Sequence, residues 1–153
     1  MNNYIIFNLD GFSYGIKLEH VEKITYSVAV TPLPAAPPSL LGVINFQGDY
    51  IPVLNIRKKC GVPFKPVGLS DKLLIIKNSK TRFAITVDSL GETFPVQDGQ
   101  IVPPDSIWAG LTYLKGIYRK NEMTVLLIDD LEIFRDDDRE FINNEINTAG
   151  QNE

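Results

Sequence analysis

The chain has 153 residues, 44% of them hydrophobic and 22% charged, which suits one compact globule and is too short for a multidomain enzyme. Its net charge of −4 provides no long-range attraction for phosphate backbones or anionic lipid, so nucleic-acid and membrane-surface binding are disfavoured and a protein partner is expected. One cysteine, Cys60, excludes an internal disulfide, the start Met1-Asn2-Asn3 has no leader pattern, and no apolar run reaches bilayer-spanning length, so the expectation is a cytoplasmic protein with no membrane insertion.

Short β-branched and aromatic runs closed by turn residues predict a mostly β protein, with strands near 4–9, 12–18, 24–31, 40–46, 50–56, 72–78, 82–88, 92–97, 114–119 and 123–128. Asp10-Gly11 between the first two is a hairpin signal, because a type I′ turn needs the positive φ that Asp and Gly adopt readily. Gln47-Gly48-Asp49 and Asn78-Ser79-Lys80 read the same way. The third and eighth strands run into proline-rich connections, Thr31-Pro32-Leu33-Pro34-Ala35-Ala36-Pro37-Pro38 and Val102-Pro103-Pro104-Asp105, where fixed φ and missing amide donors predict stiff exposed loops. After Ile128 the spacing of Leu131, Phe134, Asp138, Phe141, Ile142 and Ile146 predicts a terminal helix over about 130–145, with Asp136-Asp137-Asp138 on its solvated face. Residues 147–153 read as a flexible polar tail behind a domain spanning 1–146.

The sequence also matches itself. Ile6-Phe7, Tyr14-Gly15-Ile16, Leu18 and Val21 reappear 69 positions on as Ile75-Ile76, Phe83-Ala84-Ile85, Val87 and Leu90. Gly42-Val43, Ile51, Val53, Leu54 and Asn55 reappear 74 positions on as Gly116-Ile117, Val125, Leu127, Ile128 and Asp129. Common order and common spacing predict a duplication of five-stranded units. An antiparallel unit of about 70 residues hides its edges best by curling into a small barrel, and two such barrels would pack together.

Little here supports catalysis. One histidine and one cysteine cannot assemble a zinc site, and no phosphate-cradling glycine loop is present, so no metal or cofactor is expected. His20 falls in a short helical turn and Cys60 reads as a small hydrophobe. Asp129-Asp130 suit the N-cap of the terminal helix better than paired acid–base work. Arg57-Lys58-Lys59 reads as a solvated strand end. Leu33, Leu40, Leu41, Trp108, Leu111 and Tyr113 lie in or beside the long loops, where they either plug the barrels or face a partner.

Taken together, Tyr14-Gly15-Ile16, Val21-Glu22-Lys23-Ile24, Pro34-Ala35-Ala36-Pro37 and the block from Leu41-Gly42-Val43-Ile44-Asn45-Phe46-Gln47-Gly48-Asp49 to Asn55-Ile56-Arg57 resemble the CheW family of chemotaxis adaptors. Val87-Asp88, Leu114-Lys115-Gly116-Ile117 and Leu126-Leu127-Ile128-Asp129 extend the resemblance over about 4–135. It implies two packed SH3-like barrels and a noncatalytic scaffold that docks on the regulatory domain of a CheA-type histidine kinase and on the cytoplasmic tip of chemoreceptors. By this resemblance Lys23, Ile24, Phe46, Gln47 and Arg57 face the receptor, Val30, Leu33 and Leu40 face the kinase, and Gly42, Gly48 and Gly116 do structural work. The chain departs from the family pattern at Lys23, where relatives usually carry Glu, at Gln47, where they carry Arg, and at Asn55, where they carry Asp. Those departures leave room for a CheW-like adaptor in another kinase pathway, such as surface motility. A third reading is a small-molecule site or enzyme at the barrel seam, using Asp88, Asp129 or His20.

Overall fold

The computed structural model describes residues 2–104, 113–134, 138, 141 and 142. Among the described residues the strands are β1 (Asn2–Leu9), β2 (Phe12–Lys17), β3 (Val21–Tyr26), β4 (Leu40–Phe46), β5 (Asp49–Leu54), β6 (Lys72–Lys77), β7 (Arg82–Val87), β8 (Ser89–Val96), β9 (Leu114–Lys120) and β10 (Met123–Ile128), with a short helix, α1 (Ile56–Lys59), between β5 and β6. The expected hairpin turns are present: Asp10-Gly11 and Gln47-Gly48 take φ of 54°, 84°, 52° and 90°, the left-handed pair that a type I′ turn requires. Asn78 shapes the β6–β7 turn by accepting the Lys80 and Thr81 amides, each at 2.9 Å.

Two five-stranded sheets result, ordered β8-β1-β2-β10-β9 and β3-β6-β7-β5-β4. Both read as third, first, second, fifth and fourth strand of a repeat, so the duplication is visible in the topology. The sheets are not the two sequence halves, however. The first hairpin of each half is exchanged, so that β1 and β2 join β8, β9 and β10 while β6 and β7 join β3, β4 and β5: β3 pairs with β6 and β5 with β7, as β8 pairs with β1 and β10 with β2. Each sheet closes into a small SH3-like barrel through the segment after its third strand. Thr31 and Val43 exchange backbone hydrogen bonds of 2.8 and 2.9 Å, and Val102 and Ile117 do the same at 2.9 Å each.

Gly42 and Gly116 sit at these two closures. A Cβ on Gly42, whose φ is 148°, would overlap the Thr31 carbonyl, and one on Gly116 would overlap Ile101 and the Val102 carbonyl. Close backbone approach therefore requires glycine at both. Gly48 is different in kind, because open space surrounds it and its positive φ alone selects glycine.

Three apolar layers fill the molecule. Tyr4, Ile6, Phe94, Val96, Val125 and Leu127 fill the first barrel, and Ile44, Ile51, Val53, Leu73, Ile75 and Ala84 fill the second. Between them lies a seam built by both sheets, including Ile5, Phe7, Leu9, Ile16, Leu54, Leu74, Ile76, Phe83 and Ile85. Phe7 stacks on Tyr14 with centroids 5.5 Å apart, and Phe83 meets Phe134 edge-on at 4.7 Å. Alternate residues of β1 and β6 thus serve two cores, which is why those strands read as unbroken apolar runs.

Several expectations change. β3 ends at Tyr26: Ser27 donates one more backbone hydrogen bond to Asp71 at 3.0 Å, the chain then leaves the β6 ladder, and Thr31 pairs with Val43 on β4. Ile56 belongs to α1, with Asn55 as its N-cap accepting the Lys58 amide at 3.2 Å. Residues 130–134 form turns rather than the start of a helix. Asp138 and Phe141 are helical, while the rest of the predicted terminal helix, the 147–153 tail, Trp108 and Leu111 lie outside the described residues. Tyr113 and Leu33 pack on the seam.

Candidate interaction surface

Strand register sorts the candidate residues onto faces and ends of the second barrel. Lys23 lies opposite Ile75, and Phe46 opposite Asp49 one pleat beyond the Ile44–Ile51 pair. Ile75, Ile44 and Ile51 all point into that barrel, so Lys23 and Phe46 share its inner face at one end. Phe46 is half-buried over the barrel core, while Gln47 is exposed at the adjoining turn. Ile24 lies opposite Leu74, a seam residue, and projects from the other face. It is 39% exposed and begins an apolar row with Tyr26 at 66% and Val28 at 43%. The structure therefore brings Lys23, Phe46 and Gln47 together and sets Ile24 apart from them.

Arg57 lies at the opposite end and is buried. Its guanidinium donates to the Pro63 carbonyl at 2.6 Å and the Asp88 carboxylate at 3.0 Å, and lies 3.4 Å from Asp10. Asp10 belongs to the β1–β2 turn of the first sheet, so Arg57 ties the two barrels together. The solvated strand end expected of Arg57-Lys58-Lys59 is instead a short helix with this buried anchor. With every side of the guanidinium engaged, Arg57 offers no free donor fork to a partner.

The kinase-side candidates also separate. Leu40 is buried in the seam and Leu33 packs against it, so Leu40 presents no side-chain surface. Val30 lines an open groove at the Arg57 end with Leu41, Ile56, Phe64 and Val67. Phe64 is 71% exposed. Prolines 63 and 66 stiffen this loop, which holds apolar side chains outward that the cores do not use.

Arg82, which opens β7, went unnoticed in the sequence. It donates from Nε and Nη2 to the two oxygens of Glu22 at 2.7 and 2.9 Å, and from Nη1 to Asp49 at 2.9 Å. It thereby spans the end that carries Lys23 and Gln47. No local pattern reveals it, because its partners lie 60 and 33 residues away.

The polar residues considered for chemistry at the seam have structural partners. His20 Nδ1 lies 2.8 Å from Asp130, which also accepts from Asn78 at 2.8 Å, fastening the β2–β3 connection to the β6–β7 turn and the segment after β10. Asp129 accepts the Leu131 amide at 3.1 Å, an Asx turn rather than a helix cap. Asp88 accepts the Asp10 amide at 2.8 Å and meets Arg57 and Lys65. Burial would raise its pKa, but the Asp10 amide and the two cations outweigh this and hold it below the ordinary carboxylate value. Burial pushes the Cys60 thiol up to about 12, only partly countered by its hydrogen bond with Tyr14, so it is a protonated packing group and not a nucleophile at neutral pH.

Two strand-exchanged SH3-like barrels packed across an apolar seam, with exposed apolar side chains left outside the cores, form the architecture in which CheW-like adaptors are built. The CheW-like domain profile matches residues 3–138, and the chain belongs to that family. It is 23% identical over 136 residues to a chemotaxis protein CheW of Treponema pallidum, covering 85% of this chain and 80% of the relative. A Helicobacter pylori chemotaxis protein CheW is 23% identical over 135 residues, covering 88% and 82%. The crystal structure of the scaffolding protein TtCheW from Thermoanaerobacter tengcongensis superposes with a TM-score of 0.75 over 83% of this chain and 88% of that one, at 23% identity.

Proposed function

We propose that this chain is a noncatalytic chemotaxis adaptor that couples chemoreceptor cytoplasmic tips to the regulatory domain of a CheA-type histidine kinase. The observation that carries the reading, beside family membership, is the presence of two chemically distinct surfaces at opposite ends of one barrel. The polar end with Lys23, Phe46 and Gln47 serves the receptor, and the apolar groove with Val30, Leu41, Phe64 and Val67 serves the kinase. One rigid barrel between them allows both partners to bind at once. Coupling then needs only that the ternary contacts differ in free energy between receptor states, by about 1–3 kcal/mol. The work is done in the cytoplasm, with recruitment to receptor arrays at the membrane.

Lys23 and Gln47 favour a second version of the same role. A cation and an amide replace the family's usual acid and base, which suits an adaptor for a different receptor or for a kinase pathway outside swimming chemotaxis, such as surface motility. Titration of the protein with the regulatory domain of a CheA-type kinase from the same organism, followed by a receptor cytoplasmic fragment, tests both. Micromolar or tighter kinase binding with a receptor-dependent ternary complex is expected. Kinase binding without receptor binding selects the rerouted adaptor, and binding to neither defeats both readings.

A further inference from the structure

The polar end of the second barrel has a charge pattern that specifies its partner. Arg82 occupies both oxygens of Glu22 and one of Asp49, and a bidentate guanidinium–carboxylate fork fixes geometry as well as charge. Glu22 reaches Arg82 because the β3–β6 register shifts between Val21 and Lys23, which swings one extra residue out of the ladder. Asp49 stands directly after the Gln47-Gly48 turn, so the same guanidinium holds both the shifted strand and the turn.

Lys77 lies opposite Arg82 and, two residues after Ile75, shares the face of Lys23. Among the described residues neither Lys23 nor Lys77 has an ion-pair partner. Arg82 therefore engages both acids and offsets one of their two charges, while the two unpaired lysines at the same barrel end as the half-buried Phe46 leave these five groups with a net positive charge. This basic end belongs to a chain whose net charge is −4.

We infer that this end docks an acidic segment of a partner protein, with Lys23 and Lys77 as the free cations, Phe46 as the apolar centre, and Arg82 as a positioning residue that holds Glu22 in a bidentate pair and offsets part of the acidic charge. A basic partner would have to break the Arg82 fork to reach Glu22, whose two oxygens are both occupied. The inference draws on the receptor-coupling reading for the natural identity of the segment, and stands apart from it in chemistry.

The test follows backbone amide shifts of the full chain during titration with a helical Glu/Leu peptide, a matched Lys/Leu peptide, and the receptor fragment. The Glu/Leu peptide is expected to move the signals of Lys23, Phe46, Gln47 and Lys77, with affinity falling about tenfold in Lys23→Glu and more weakly as salt rises. Arg82→Gln should weaken it about fivefold, and Arg82→Lys should restore part of that loss while kinase-domain affinity is unchanged, which a general loss of fold would not allow. Equal response to both peptides, or indifference to Lys23→Glu, overturns the inference. Competition between the Glu/Leu peptide and the receptor fragment supports both ideas. Acidic-peptide binding without receptor binding defeats the receptor reading alone, and receptor binding insensitive to Lys23→Glu and Arg82→Gln defeats the acidic-segment inference alone.

Discussion

At the groove end of the second barrel closure is made by backbone, with Thr31 and Val43 exchanging two hydrogen bonds beside Gly42, whereas at the Lys23 end it is made by side chains, with Arg82 reaching from Glu22 to Asp49. Backbone closure in a packed setting is insensitive to salt and intolerant of added atoms. Closure by exposed ion pairs contributes little to stability and changes with a single charge substitution. One end is therefore held by the fold, and the other is open to retuning for a new partner without loss of the fold. Lys23 and Gln47 lie at the retunable end.

Breaking the backbone closure should have the largest effect. Gly42→Ala places a methyl group into the Thr31 carbonyl at a φ of 148°, and a loss of about 3 kcal/mol is expected in urea unfolding. Gly48→Ala, at the side-chain end, has open space around its Cβ and only its φ of 90° to strain, so about 1 kcal/mol is expected. Equal losses at the two glycines would remove the distinction between the ends.

Next comes Arg57→Met, which keeps the stem packed and removes the donors to Pro63 and Asp88. Leaving those acceptors short of partners should cost about 2–3 kcal/mol. The pH dependence identifies the cause. Asp88 has a folded-state pKa below its unfolded value, so its contribution is full above the unfolded pKa and is lost as pH falls through the folded one. The stability gap between the unsubstituted chain and Asp88→Asn should therefore narrow as pH drops from about 6 to about 3. A gap that stays constant would assign the Arg57 effect to packing.

These differences also explain what was legible beforehand. Alternation and turn residues revealed all ten strands, and the 69- and 74-residue offsets revealed the duplication, because both are local or periodic signals. The exchange was not legible, since equivalent strands carry equivalent patterns and the first hairpin of each half is chemically suited to join strands three to five of either copy. Ile56 continues an apolar run and so hid a four-residue helix. Leu40 sits beside prolines yet turns into the seam, which loop composition does not encode. Arg57 and Arg82 acquire their roles from carboxylates brought near only by folding.

The smallest expected effect on stability is the most informative about function. Val67 is 39% exposed on the rim of the groove, so Val67→Asp should change unfolding free energy by less than about 0.5 kcal/mol. If the groove docks the kinase regulatory domain, a carboxylate there is desolvated on binding and stands near Phe64 and Leu41. Affinity for that domain should fall about tenfold or more. Receptor-fragment binding, at the far end of the same rigid barrel, should stay within about twofold. Arg82→Gln should give the reverse pattern, a loss of receptor affinity with kinase binding intact. Reciprocal losses at opposite ends would establish two independent docking surfaces, whereas parallel losses at both would mean that the ends communicate through the barrel and that the adaptor transmits its signal by its own deformation.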